Sequence, residues 1–293
     1  MTVGSIVVFG DSLQDNGNLI KTLEIPGVPY DRGRFSDGLV ACEYLGKMLK
    51  EKQQTTVDIK VNNYAIGGAC TTGKNPKSLL TTHSFSVQNQ IDRYVARQGR
   101  FTDDALIMLN GGGNNFLFAV HNEKPFLNFP AVYRVASDLL SSIDRVIKLG
   151  AKRIVVWNVP DVTVAPAYDV TPFPKPIVIW LKKYIKRNII KQNKQLEIGV
   201  NRLKEKYPFV QIHLFDAYAL LHEALETPMA FGFDNATEAC IRSFGGVDGN
   251  GEIQTDIPIE HDPQTHLFWD YVHPTTKAQK MLAEKIFDLL HPL

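Results

Sequence analysis

The sequence predicts an α/β protein whose parallel sheet is covered by helices on both faces. Short β-rich runs alternate with amphipathic stretches along the chain, the pattern of strand–helix–strand crossovers. The chain has 293 residues, of which 44% are hydrophobic and 22% charged. That composition is ordinary for a soluble globular protein and long enough for one large core.

The first strand is read at Ser5–Phe9, an apolar run that stops at Gly10. The other four candidate strands are 57–64, 105–110, 153–158 and 210–215. Residues 39–50 form the first helix by apolar spacing. Val87, Ile91 and Val95 mark the next, closed by Gly99. Val132, Val135, Leu139, Ile143 and Val146 mark a third, closed by Gly150 where a left-handed cap is needed. Ile185, Ile189, Leu196 and Leu203 mark a fourth, and Ala278, Leu282, Ile286 and Leu289 the last. No repeat or low-complexity linker divides the chain, so residues 1–293 are read as one domain. Three stretches look inserted, near 116–130, 161–180 and 227–263. Loops of that length are usually functional or mobile.

With 32 basic and 31 acidic side chains, the formal net charge is +1. This gives no electrostatic case for a nucleic-acid partner. No stretch approaches the roughly 18 apolar residues that cross a bilayer. Val3 to Phe9 is too short for a signal peptide and reads as a strand. The expectation is a protein that stays in the cytosol, leaves by a route without such a signal, or is the mature form of an exported one. The cysteines, Cys42, Cys70 and Cys240, form no CxxC and no zinc-like spacing. Their odd count argues against a disulfide framework and leaves room for one pair. Cys42 falls with Leu39, Leu45 and Leu49 at helical spacing and reads as core.

Ligands of parallel α/β sheets bind beyond the carboxyl ends of the strands. Each polar stretch that follows a strand is therefore a site candidate. After the first comes Gly10-Asp11-Ser12, where glycine permits a sharp turn and Ser12 stands near a helix start. A helix N-cap is the commoner use of such a serine. A serine nucleophile needs a base in hydrogen-bond reach and a group to orient that base. After the second strand, Gly68 to Lys74 fits the G-x-x-x-x-G-K part of a phosphate loop. Asn75 then replaces the metal-binding hydroxyl, and Pro76 interrupts the helix start. The other use of Gly68 is a backbone N–H that can approach a bound oxygen. After the third strand, three glycines precede Asn114, whose side-chain amide is a donor.

Near the end stands Phe268-Trp-Asp270-Tyr-Val-His273-Pro274. Pro274 suits the first turn of the last helix, so His273 lies at that helix's entrance. Asp270 can accept a proton from one imidazole nitrogen and leave the other as base. This pairing singles His273 out from the chain's 8 histidines. A complete toolkit is then expected: Ser12 as nucleophile, His273 as base and Asp270 as its orienter. The oxyanion donors would be the N–H of Ser12, the N–H of Gly68 and the amide of Asn114. Each such donor is worth about 3 kcal/mol of transition-state stabilisation.

Gly10-Asp-Ser-Leu13, the Gly68 and Asn114 regions and Asp270-Tyr-Val-His273 together resemble the four blocks of the SGNH or GDSL hydrolases. The stretches from Phe9 to Asn18, Gly33 to Gly38, Asn158 to Asp161 and Phe268 to Pro274 are similar to its bacterial branch. That branch holds secreted phospholipases, lysophospholipases and glycerophospholipid–cholesterol acyltransferases. The resemblance implies a three-layer α/β/α sandwich around a parallel, flavodoxin-like sheet of about five strands, with no cofactor and a secreted or translocated protein. The third block usually ends in Asn-Asp; here it is Asn114-Asn115, which raises a question about local loop geometry. The G-x-S-x-G elbow of the larger α/β-hydrolase fold surrounds no serine of this chain.

The expected function is hydrolysis of lipid acyl esters through an acyl-serine, by a phospholipase A or lysophospholipase, with acyl transfer as a related outcome. The alternatives are a small-molecule or carbohydrate acetylesterase and a non-catalytic lipid-binding protein. The three inserted stretches are expected to shape the acyl pocket. Phe116 to Val120 either lines a groove or begins a core helix. Residues 172–187 join aromatic and aliphatic side chains to a basic cluster. They suit peripheral contact with an anionic membrane, or form a solvated basic face. His261 and His266, with Asp262, fall short of a metal site without a third partner, so no metal is expected.

Overall fold

The computed structural model describes residues 2–73, 85–121, 129–171, 173–248 and 250–290. Its strands are β1 (Ser5–Phe9), β2 (Lys60–Asn63), β3 (Ala105–Leu109), β4 (Arg153–Trp157) and β5 (Gln211–Phe215). They form one parallel sheet in the order β2-β1-β3-β4-β5. This is the flavodoxin-like order. The chain runs outward from β1 to β2 and then returns to β3, so a topological switch point lies between β1 and β3.

Alternation along β1 shows why the sheet needs a layer on each side. Ile6 and Val8 face one layer, Val7 and Phe9 the other, and all four are at most 1% exposed. The helices Val87–Gln98, Val135–Lys148 and Lys175–Lys206 pack on the Val7 face. Ala41–Lys52, Ala217–Glu226 and Thr276–Leu290 pack on the Ile6 face. The expected helix stops are present: Gly99 has φ +74° and Gly150 φ +103°. The three cysteines are free and buried, with Cys42 in the core as its spacing predicts.

Several boundaries differ from the sequence reading, each for a physical reason. Residues 57–59 do not extend β2. This edge strand pairs only with β1, from Ser5↔Lys60 to Val8↔Asn63, and Val57 is left exposed. The 161–180 stretch is not wholly irregular, because its last part is the start of the 32-residue helix Lys175–Lys206. Pro174 and Pro176 flank that start, where proline costs a helix least. Within 227–263 lies β6 (Asn235–Ala239), which pairs in parallel with β7 (His266–Phe268) as a separate two-stranded sheet. The 116–130 stretch begins inside the helix Gly113–His121, and 122–128 fall outside the described residues. Lys74 to Pro76, the disputed end of the phosphate-loop pattern, also fall outside them.

Two neighbouring isoleucines test the burial pattern of the long helix. Ile189 is fully buried and Ile190 is 49% exposed. Ile189→Ala should cost about 2–5 kcal/mol in urea unfolding. Ile190→Ala should stay within about 0.5 kcal/mol of the wild type.

Candidate active site

The turn after β1 is held from the neighbouring layer. Gln90, fully buried, accepts from Gly10 N at 2.8 Å and donates back to Gly10 O at 2.7 Å. A Cβ at position 10 would lie 1.7 Å from Asn110 Oδ1, so only glycine fits. Asn110 Nδ2 donates to Asp11 Oδ1 at 2.8 Å, and Asp11 also accepts from Leu13 N. Burial raises the Asp11 carboxyl above its ordinary value, against these hydrogen bonds and the nearby His273 charge.

Ser12 and His273, 261 positions apart, meet here. His273 Nε2 lies 2.8 Å from Ser12 Oγ. His273 Nδ1 lies 2.9 and 2.8 Å from the two oxygens of Asp270. Asp270 is wholly buried and accepts from Val272 N, His273 N, Gly245 N and the hydroxyl of Tyr30. Burial alone would push its carboxyl up. The His273 charge, the His273 and Tyr30 hydrogen bonds and Val272 N outweigh that, and the net shift is downward. Tyr30 is raised well above its ordinary value by burial and by Asp270, so it stays protonated and donates. The ring of Phe35 rests against His273 with centroids 4.9 Å apart.

The oxyanion candidates lie on loops tied to this turn. Asp15 accepts from Gly17 N, Asn18 N, Leu19 N and Gly67 N, while burial pushes its carboxyl up to about 6. Asn18 Nδ2 donates to the carbonyls of Asn63 and Ala65. The first block thus grips the loop that carries Gly68. Gly68 itself has φ +76°. Asn114, buried, donates through Nδ2 to Ala69 O at 3.0 Å, which joins the third block to the second. Asn115 answers the question about its missing charge. Its Oδ1 accepts from Thr71 N, and its Nδ2 donates to Thr71 Oγ1 and to Ala131 O. A carboxylate could not make those donations.

A cavity of about 110 Å³ opens beside Ser12, Asn114 and His273. Its remaining wall is mostly apolar and includes Leu117, Trp157, Val162, Leu220, Phe268 and Met281. Two of the inserted stretches contribute, through Leu117 and through Asp161, Val162 and Ala165. None of the described residues of the third lines the cavity, contrary to expectation. Among the described residues its nearest role is behind Asp270, through Gly245 and Gly246. The helices Ala217–Glu226 and Thr276–Leu290 take its place in the wall.

Tyr30, Gln90 and Asp15 were not singled out from the sequence. Tyr30 stands 240 positions from its partner, and nothing local marks it. Asp15 does have a local signal: a short acid leading into Asn-Gly-Asn, where side-chain-to-backbone turns form readily.

A family described as GDSL-like Lipase/Acylhydrolase matches residues 6–286. A GDSL esterase/lipase of Arabidopsis thaliana is 26% identical over 97% of this chain and 87% of its own length. The thermolabile hemolysin of Vibrio parahaemolyticus is also 26% identical, over 98% of this chain and 63% of its own length. A catalytic mutant of an acetylxylan esterase from Geobacillus stearothermophilus superposes with a TM-score of 0.54 at 15% identity, covering 99% of this chain and 96% of that one. At that identity the likeness is one of fold.

The Asp270 shift fixes the sign of a pH effect. Its folded pKa lies below the ordinary 3.8, so its contribution to stability is complete above that value and is lost as pH falls through the folded pKa. The difference in unfolding free energy between wild type and Asp270→Asn should therefore shrink as pH falls below about 4. A difference that grows as pH falls below about 4 would contradict the assignment.

Proposed function

Because this chain belongs to the GDSL-like lipase/acylhydrolase family, it is a carboxylic ester hydrolase, and we propose that it cleaves acyl esters of lipids, as a phospholipase A or lysophospholipase, through an acyl-serine at Ser12. The observation that carries the lipid assignment is the apolar cavity beside Ser12 and His273. An acetyl group has no use for a wall of leucine, tryptophan, phenylalanine and methionine. A fatty acyl chain gains about 0.8 kcal/mol for each methylene it buries there.

On this reading His273 Nε2 takes the Ser12 proton as Oγ attacks the ester carbonyl carbon. Asp270 holds the imidazole by Nδ1 and stabilises the imidazolium that forms. Its own charge is secured by Tyr30 and by three backbone N–H groups, so it need not take the proton. The N–H of Ser12, the N–H of Gly68 and the Asn114 amide receive the developing oxyanion. The Asn114 amide carries two hydrogens, one of which serves Ala69 O. His273 then protonates the leaving alcohol, and water, or another alcohol in acyl transfer, releases the acyl group from Ser12.

The same proposal extends to the surface on which the substrate lies. Near the start of the helix Lys175–Lys206, Ile177, Ile179 and Trp180 are 45%, 55% and 50% exposed. Trp180 stacks on Tyr184. Lys175, Lys182 and Lys183 lie along the same stretch, with Lys182 paired to Asp169. Phe173 is not part of this exposed set, because it packs against the core. Exposed apolar side chains among lysines suit peripheral contact with an anionic bilayer.

A panel of p-nitrophenyl esters of rising chain length, together with lysophosphatidylcholine, tests the substrate class. The expected kcat/KM rises from acetate towards medium and long chains. A maximum at acetate would instead favour a small-molecule or carbohydrate acetylesterase. Met281→Trp should lower kcat/KM for long esters by about tenfold or more and leave acetate nearly unchanged. Ser12→Ala should lose about a thousand-fold or more with the fold intact. No activity in either form would indicate a lipid-binding protein.

The surface makes a separate prediction. Ile177→Ser with Trp180→Ser should reduce hydrolysis of anionic phospholipid vesicles several-fold more than hydrolysis of a soluble short-chain ester. Equal loss on both would remove the membrane contact from the proposal.

A further inference from the structure

His261 and His266 lack a third ligand within their own loop, but the fold brings one from elsewhere. Glu238 lies on β6, His266 is the first residue of β7, and these strands pair in one small sheet. The backbone of Glu260 donates to Cys240 O at 2.8 Å, which draws residue 261 towards β6. One ligand atom from each of Glu238, His261 and His266 lies within 4.8 Å of the other two. The imidazoles are stacked, with centroids 4.8 Å apart and planes 8° from parallel. Asp262, the acid next to His261 in sequence, is turned to other work: its Oδ1 accepts from Gln264 N.

The hydrogen bonds around this cluster prepare it for a cation. His266 Nδ1 lies 3.2 Å from Asp262 O and 2.8 Å from Thr265 Oγ1. The carbonyl can only accept, and the Thr265 hydroxyl donates to that same carbonyl at 2.9 Å. In the neutral ring the hydrogen therefore belongs on Nδ1, which leaves the lone pair on Nε2. A carbonyl that fixes the tautomer of a ligating imidazole is the usual support of a metal-bound histidine. Glu238 is oriented in the same manner, since Asn235 Nδ2 donates to its Oε2 at 2.6 Å. His266 is buried, whereas Glu238 and His261 are exposed, so the cluster has one fixed ligand, two adjustable ones and an open approach.

We propose that Glu238, His261 and His266 bind a divalent transition-metal ion, with Zn²⁺ the best match. Two imidazoles and one carboxylate suit zinc, with water in the fourth position, whereas calcium and magnesium favour all-oxygen sets. Tetrahedral zinc with bonds of about 2.0–2.2 Å places its ligand atoms about 3.4 Å apart. The exposed side chains of Glu238 and His261 reach that spacing by swinging inwards. The bound ion ties β6 to the 261–266 segment, which leads through β7 directly into Asp270 and His273. Its role is that of a clip on the 238–266 loop, whichever ester the enzyme cleaves.

The test is a titration of the full chain, first stripped of metal, with ZnCl₂ by calorimetry and by competition with a chromophoric chelator. The wild type should bind one equivalent with a Kd in the micromolar range or tighter, and its Tm should rise with zinc. His261→Ala and Glu238→Gln, both at exposed positions, should each weaken binding by about tenfold or more and remove the Tm shift. Their circular dichroism should match that of the wild type. CaCl₂ should produce neither effect. No saturable binding up to millimolar zinc, undiminished binding in both variants, or equal binding of calcium would overturn the proposal.

Discussion

A buried carboxylate must be satisfied on every side, and Asp270 shows how much structure that requirement organises. Its two oxygens take hydrogen bonds from Tyr30, Gly245, Val272 and His273. These donors come from three regions far apart in sequence. An isolated charge at this depth would cost several kcal/mol, so the donors hold it jointly. The long 227–263 stretch finds its place here. Gly245 and Gly246, with φ +76° and +88°, turn their N–H groups onto Asp270 Oδ2 and Tyr30 Oη. Side chains at these positions would strain the turn and press on Phe35 and Pro26.

The other end of the site is organised by a second buried acid. Asp15 gathers three N–H groups of its own turn and the N–H of Gly67. Gly67 has no room for a side chain, because a Cβ there would lie 2.4 Å from the ring of Phe35. Phe35 in turn backs His273. The two acids are therefore linked through one aromatic ring. The small polar residues after β1 are an anchor for the next loop, and this anchoring brings Asn114 and Gly68 to neighbouring positions.

The strand and helix periodicities made the main sheet and most of its cover legible, because strands buried on both faces and helices with one apolar stripe leave regular marks. The strand-end residues were legible for a related reason: glycine, serine and asparagine gather where backbone must come close to a ligand. What remained hidden was set by long-range packing. The contact of Tyr30 with Asp270 and the clamp of Gln90 on Gly10 join residues that ordinary chemistry allows anywhere. The helix Ala217–Glu226 and the β6–β7 sheet were missed because short elements carry too few residues for a period to show. The role of 227–263 was misread for the same reason, since irregular backbone gives no hint of which buried group it serves.

The cavity beside Ser12 has a consequence for turnover as well as for capture. On the proposed reading, the liberated fatty acid occupies the same apolar wall that held it as an ester. Every methylene that helped it in now delays its departure, so for long chains the slow step shifts from bond breaking to escape. A nearby lipid phase would then act as a sink that draws the product out.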